Sequence, residues 1–140
     1  MRVTGWIKPY SLPHPGIRFN NRTFTEPAPF ALAIPPVSSG IYAVLAPDAS
    51  CRPQPFRAIY FGESSNFHQR VTATHEHLDE WAREAGGAAR TYVAFCPTPL
   101  LNAAQRRWIE SDLIARYRPV CNVRNNRPPF FYQPLLGVAR

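Results

Sequence analysis

Lysine and cysteine are scarce in this sequence, and long apolar runs are absent. Of its 16 basic residues only Lys8 is a lysine, and the rest are arginines. The planar guanidinium fork suits bidentate phosphate recognition, although a GC-rich genome would leave the same skew. Cys51, Cys96 and Cys121 are odd in number and show no Cys-x-x-Cys spacing, which speaks against a disulfide framework and a structural zinc site. Reduced thiols are expected, with Cys96 a small core residue inside an apolar strand. No stretch approaches the roughly 20 apolar residues that cross a bilayer, and no apolar run follows the first arginine. A soluble, cytoplasmic protein without a membrane partner is the expectation.

What is present suits one domain with appendages: 140 residues, 45% of them hydrophobic, are enough for a real core. A formal net charge of +7 makes a polyanion the default partner, with solubility charge as the alternative. The position of the charge says more than its total. Glu76, Asp79, Glu80 and Glu84 make one segment acidic, whereas residues 100–140 carry seven arginines against Glu110 and Asp112. A phosphate backbone would follow the C-terminal side.

Residues 1–38 hold seven of the 16 prolines, with Trp6, Tyr10, Phe19, Phe24 and Phe30 among them. Proline removes amide donors and fixes φ, so regular structure is expected to be short, while the aromatics argue against a disordered tail. An arm that wraps the core is expected, with one short hairpin around Asn20-Asn21. Lys8, Arg18 and Arg22 give it a second reading, as a DNA contact.

Gly40–Ala46 and Phe56–Phe61 are short runs rich in Ile, Tyr, Val and Phe bounded by Gly and Pro, and predict two strands of a hairpin. Between them Pro47–Pro55 forms a peripheral loop. Ser64 or Ser65 is positioned to cap a helix over 65–74. A second helix over 75–85 stops at Gly86-Gly87, its Trp81 and Leu78 inward and its carboxylates in solvent. Arg90–Cys96 alternates as a third strand, and Thr98-Pro99 opens a helix that reaches Tyr117. The order β-β-α-α-β-α predicts an α+β fold, a small three-stranded antiparallel sheet flanked by helices.

Within this frame Tyr42, Tyr60 and Arg70 are able to converge. At 100° per residue Glu110 shares a helical stripe with Ala103, Ile114 and Tyr117 and faces inward, while Asp112 points away. A buried carboxylate needs a cation or a salt bridge, and Arg106 and Arg107 lie within helical reach to supply the latter.

Gly40-Ile41-Tyr42 followed by Tyr60-Phe61-Gly62, with Arg70, Glu110 and Asn122 in order behind them, resembles the GIY-YIG nuclease domain of homing endonucleases, some restriction enzymes and an excision-repair nuclease subunit. The resemblance covers about residues 39–122. It implies a nuclease domain over 39–123 between the arm and a tail over 124–140, and a divalent-metal-dependent DNA endonuclease. Glu110 would be the ligand of one Mg²⁺ or Mn²⁺, with waters in most of its shell. Arg70 would neutralise the scissile phosphate, Tyr42 would act on the water side, Tyr60 would contact phosphate or Arg70, and Asn122 would tie down the wall.

Family members often carry His or Tyr four residues after the arginine, where this chain has Thr74. One step further stands His75, which replaces that group in proton handling only if the helix has ended by then; His77 is the second candidate. Glu63 stands where some members have Lys. Arg106, Arg107, Arg124 and Arg127 join Arg70 as candidate DNA contacts, and cutting both strands with one site requires a homodimer or two encounters. The alternative is an inactive nucleic-acid- or protein-binding module on the same fold. The residues leave open DNA against RNA, cleavage specificity, oligomeric state, and a restriction, repair, mobile-element or toxin role.

Overall fold

The computed structural model describes residues 16–125. Lys8, Trp6, Tyr10, Arg127 and most of the 124–140 tail lie outside them. Six strands are present among these residues: β1 Ile17–Phe19, β2 Arg22–Phe24, β3 Ala28–Pro29, β4 Gly40–Pro47, β5 Phe56–Ser64 and β6 Tyr92–Pro97. The helices are α1 Phe67–Arg70, α2 Leu78–Ala85, α3 Ala103–Tyr117 and α4 Val120–Asn125, with 3-10 turns at Phe30–Leu32 and Ala88–Arg90. The fold is α+β. Its main sheet is antiparallel with the order β3-β6-β4-β5, four strands where three were expected. The fourth comes from the proline-rich arm: Ala28 and Pro29 pair with Val93 and Tyr92, and the proline sits on the sheet edge, where a missing amide is tolerated.

The arm also forms the expected hairpin. Asn20 and Asn21 take φ of 48° and 67°, the left-handed conformation that asparagine accepts more readily than most residues and that a two-residue hairpin turn requires. Among the described residues β1 and β2 pair only with each other, and they turn Ile17, Phe19 and Phe24 into the core. Packing therefore accounts for these aromatics.

Side chains alternate across β4 and divide the interior in two. Ile41, Ala43 and Leu45 face Phe61, Ile109 and Leu113, whereas Tyr42, Val44 and Ala46 face Phe67, Trp81 and Cys121. A β-bulge between Val44 and Leu45, opposite Ile59, puts both Ile59 and Tyr60 on the α2 side and returns Ala58 to the side of Phe61 and Leu45, since an extra residue resets the period of two. Cys96 is buried on β6 and all three cysteines are free thiols.

Helix boundaries differ from expectation. α1 has four residues and is capped by Asn66, whose side chain accepts from the His68 amide at 3.0 Å, while Ser64 Oγ accepts from the Asn66 amide at 2.9 Å. α2 ends as expected on Gly86, at φ 94°. α3 starts at Ala103, not at Pro99, because Asn102 and Gln105 form a reciprocal capping box. α4 follows Pro119 where no helix was expected. Among the described residues no helix is long and apolar enough to cross a membrane.

Candidate active site

The site forms where the edge strand β5 meets three helices. Among the described residues β5 pairs with β4 on one side only, so its other edge presents backbone groups that need partners. Two side chains supply them. Asn122, buried on α4, accepts from the Phe61 amide at 2.7 Å through Oδ1 and donates through Nδ2 to the Phe61 carbonyl at 2.9 Å. Two residues along the same edge, Glu110 Oε2 on α3 accepts from the Glu63 amide at 3.1 Å. Two residues far apart in sequence thus grip one strand edge, and Tyr60 and Gly62 lie between and beside their anchor points.

Tyr42 and Tyr60 lie side by side on the α2 face of the sheet, ring centroids 6.2 Å apart. Gly62 pairs with Tyr42 across the hairpin, and a Cβ on it would overlap the Tyr42 ring. Gly40 has the same reason for lacking a side chain, since a Cβ there would run into the Cys96 carbonyl and the Phe67 ring. Both glycines of the motif make room for neighbours.

α1 ends at Arg70, so His75 escapes the helical phase that would have turned it away. It lies in the turn before α2, with its side chain fully buried against the Trp81 ring, 4.3 Å between centroids and tilted by 42°. His75 Nε2 and Tyr42 Oη are 2.9 Å apart, and the His77 amide donates to His75 Nδ1 at 3.1 Å. Nδ1 is therefore an acceptor, so the proton of the neutral ring is on Nε2 and is donated to Tyr42 Oη. Burial first, then the Arg70 charge, lowers the His75 pKa to about 4, so the ring is neutral near pH 7. The Tyr42 hydroxyl proton is left free to point away from His75.

The resemblance put Tyr42 on the water side. Its exposure is 1%, whereas Tyr60 is half-buried, so Tyr60 is the phenol that solvent reaches. Burial, with the Tyr60 charge behind it, raises the Tyr42 pKa far above the usual phenol value. Tyr60 is pushed up to about 12 by burial and then by the Glu110 charge, with Arg70 and the neighbouring Tyr42 hydroxyl pulling the other way. Glu110 and Arg70 thus act electrostatically on both rings from opposite signs.

Glu110 itself is partly buried, and burial together with the Glu63 charge raises its pKa to about 7. The salt-bridge partner that helical spacing offered it is taken: Arg106 Nε lies 2.8 Å from Glu63 Oε2 and its Nη1 donates to the Leu101 carbonyl at 3.1 Å. Arg106 is 8% exposed and two of its five N–H donors are engaged, so little of the guanidinium expected to contact DNA faces outward. Arg107 is exposed, and its charge opposes the rise at Glu110. Arg124 meets Glu80 at 3.1 Å and Glu84 at 3.4 Å, so these carboxylates of α2 are paired where solvation was expected.

Arg70 is also engaged. Its Nη1 and Nη2 donate to Glu76 Oε1 and Oε2 at 2.7 and 2.8 Å, and the bidentate contact holds the Glu76 carboxyl at about 2. Sequence reasoning missed the Arg70–Glu76 contact, since six positions of separation correspond to no helical contact. A cavity of about 310 Å³ lined by Glu63, Ser65, Gln69 and Arg70 opens next to this pair. Among the described residues no group of three or more His, Cys, Asp or Glu side chains is assembled to hold a metal, and a bound divalent ion would rest on Glu110 and water. A scan against protein-family models and searches of characterised proteins and solved structures found no match.

Proposed function

We propose that the chain is a divalent-metal-dependent DNA endonuclease of the GIY-YIG type, hydrolysing phosphodiester bonds around Glu110, Tyr60 and Arg70. The observation that carries the reading is that a guanidinium and a partly buried acid, Arg70 and Glu110, both act electrostatically on the paired phenols Tyr42 and Tyr60, with the neutral His75 bonded to Tyr42, from five separate segments. The Glu110 carboxyl fits a hard cation. One oxygen is held by the Glu63 amide, Arg106 is committed elsewhere, and the pKa of about 7 marks a negative charge that lacks compensation. When bound there, Mg²⁺ or Mn²⁺ supplies positive charge for the scissile phosphate and the leaving oxygen.

The chain's own groups do the remainder. Arg70 neutralises a non-bridging phosphate oxygen pair with its planar fork. Tyr60 Oη, polarised by the Tyr42 hydroxyl and by Arg70, orients the attacking water. A phenol near 12 is a weak base at neutral pH, so orientation rather than full deprotonation is its role until a cation lowers that value. His75 fixes the Tyr42 hydroxyl through Nε2–H. Asn122 keeps β5 at the height these contacts need. In the reaction water oxygen bonds to phosphorus and gives up a proton to solvent, the P–O bond to the leaving nucleoside breaks, and the departing oxygen takes up a proton from solvent.

One observation favours the binding-module alternative: Glu76 already fills the Arg70 fork, as in a site that no longer clamps phosphate. Nicking of supercoiled plasmid decides between the two. Cleavage with Mg²⁺, lost in chelator and reduced at least about 100-fold in Glu110→Ala, a loss of the size seen on removing one electrostatic stabiliser, is the expected result. Cleavage that persists in Glu110→Ala refutes the metal assignment. Wild-type protein that binds DNA yet leaves supercoiled, linear and branched substrates intact establishes the binding module.

A further inference from the structure

The Arg70–Glu76 contact is the least expected feature of the site. Two N–H groups of one guanidinium meet two oxygens of one carboxylate at 2.7 and 2.8 Å, in the parallel fork geometry by which arginine also grips a phosphate. Helix α1 ends at Arg70 and the turn that follows brings Glu76 back over it, between His75 Nδ1 at 3.7 Å and His77 Nε2 at 4.0 Å. The Glu76 side chain is 57% exposed and that of Arg70 39%. The pair lies open to solvent, beside the cavity that Glu63, Ser65 and Gln69 line, so an anion can reach it.

Resting on the nuclease reading above, we infer that Glu76 is an internal competitor for the phosphate site: its carboxylate occupies the Arg70 fork until a nucleic-acid phosphate displaces it. An exposed ion pair is weak enough to be exchanged. The incoming phosphate arrives with its neighbours on a polyanion, whose other contacts supply what a lone anion lacks, so the competitor raises the threshold for small phosphates more than for duplex DNA. Glu76 touches neither substrate nor cation once displaced, and acts only through Arg70. It sets selectivity.

The experiment compares wild type with Glu76→Gln, which keeps size and removes the charge. Binding of a 5′-labelled duplex of about 20 base pairs is read by fluorescence anisotropy in chelator across a salt series, and inorganic phosphate serves as the competitor. Tighter duplex binding by about five-fold is expected for Glu76→Gln, the scale of one exposed ion pair. The salt slope should steepen by about 0.9, the increment for one more phosphate neutralised without an internal pair being broken. Phosphate should compete at lower concentration with the variant. In the cleavage assay KM falls and kcat stays within about two-fold, a split that a structural role would not give. The tightening disappears when Arg70→Ala is added to the Glu76→Gln chain. Equal or weaker binding by Glu76→Gln, or kcat lost with KM unchanged, overturns the inference and makes Glu76 a support for Arg70. If binding tightens as stated while no form of the protein cleaves DNA, the competitor stands and the nuclease reading falls. Absence of duplex binding by both proteins overturns it as well.

Discussion

Two ionisable side chains of the site respond to burial in opposite senses, and each leaves a mark on stability. Burial raises the Glu110 carboxyl from the ordinary 4.5 to about 7. Between those values the folded chain holds a proton that the unfolded chain has lost, so stability falls as pH rises through the window and levels off above it. Glu110→Gln keeps an acceptor for the Glu63 amide and removes the charge. Its melting temperature should match wild type near pH 4 and exceed it near pH 8 by the equivalent of on the order of 2 kcal/mol, a figure reduced for the water that still reaches the group. Saturating Mg²⁺ should close that gap by compensating the wild-type charge. A difference that does not vary with pH would mean that Glu110 is not desolvated. His75 works from the acid side. Its value of about 4 against an ordinary 6.5 leaves the unfolded chain with the extra proton, so stability is lost as pH falls from 6.5 toward 4. Replacing His75 with Asn should flatten the acid limb of the stability profile, read by urea unfolding at pH 4.5 and 7.5, while lowering cleavage at both. An unaltered acid limb would place the titrating group elsewhere.

At the scale of elements, the edge of β5 is the feature on which the rest hangs. Asn122 satisfies both backbone groups of Phe61 from α4, and a buried amide or carbonyl left alone costs about 1–3 kcal/mol. Asn122→Ala should therefore destabilise by roughly 2–5 kcal/mol in urea unfolding, and cleavage should fall even at temperatures where the variant is folded; a loss under about 1 kcal/mol would show that water replaces the amide readily. The strands and the hairpin at Asn20-Asn21 were legible because alternation and turn chemistry report local geometry directly. The stripe through Ala103, Glu110, Ile114 and Tyr117 was only partly so: the buried residues of α3 are Arg106, Ile109 and Leu113, Tyr117 is 42% exposed, and Asp112, expected to point away, accepts from Asn20 Nδ2 at 2.7 Å. The ends of α1 and α3 were not. In α1 the stop lies in Thr72 and Thr74, whose hydroxyls bond each other at 3.0 Å while the Thr74 amide turns to Thr72 Oγ1 at 3.3 Å, a local alternative to helical hydrogen bonds that a Ser/Thr run always holds in reserve. In α3 two start signals competed, and the reciprocal Asn102–Gln105 box prevailed over Thr98-Pro99 because it satisfies two orphan amides at once. The β3 strand escaped notice because two residues containing a proline carry no period. The Arg70–Glu76 pair and the Glu63–Arg106 pair depend on how loops return, and pairing of that kind leaves no trace in spacing.

For the molecule as a whole, +7 overstates the charge available to a partner. Arg106 is buried on Glu63, Arg124 is shared by Glu80 and Glu84, Arg57 lies 3.5 Å from Glu84, and Arg70 is held by Glu76. These pairs neutralise the acidic helix from within and leave α3 as the element that carries exposed arginines, Arg107 and Arg116 on opposite sides of it, together with Glu110. Attraction for a polyanion depends on charge that the fold has not already spent, because an arginine must give up a carboxylate before it can take a phosphate. Arg107→Ala and Arg124→Ala remove the same formal charge and should behave differently. Arg107→Ala should weaken duplex binding several-fold in roughly 100 mM salt and flatten the salt slope by about 0.9, with stability unchanged. Arg124→Ala should leave the slope within error and lower the melting temperature slightly, since it frees two carboxylates on α2 that then repel each other. Equal effects of the two variants on the salt slope would mean that the α2 carboxylates release Arg124 to the nucleic acid, and the binding face would then extend from α3 across α4 to the helix the sequence marks as acidic.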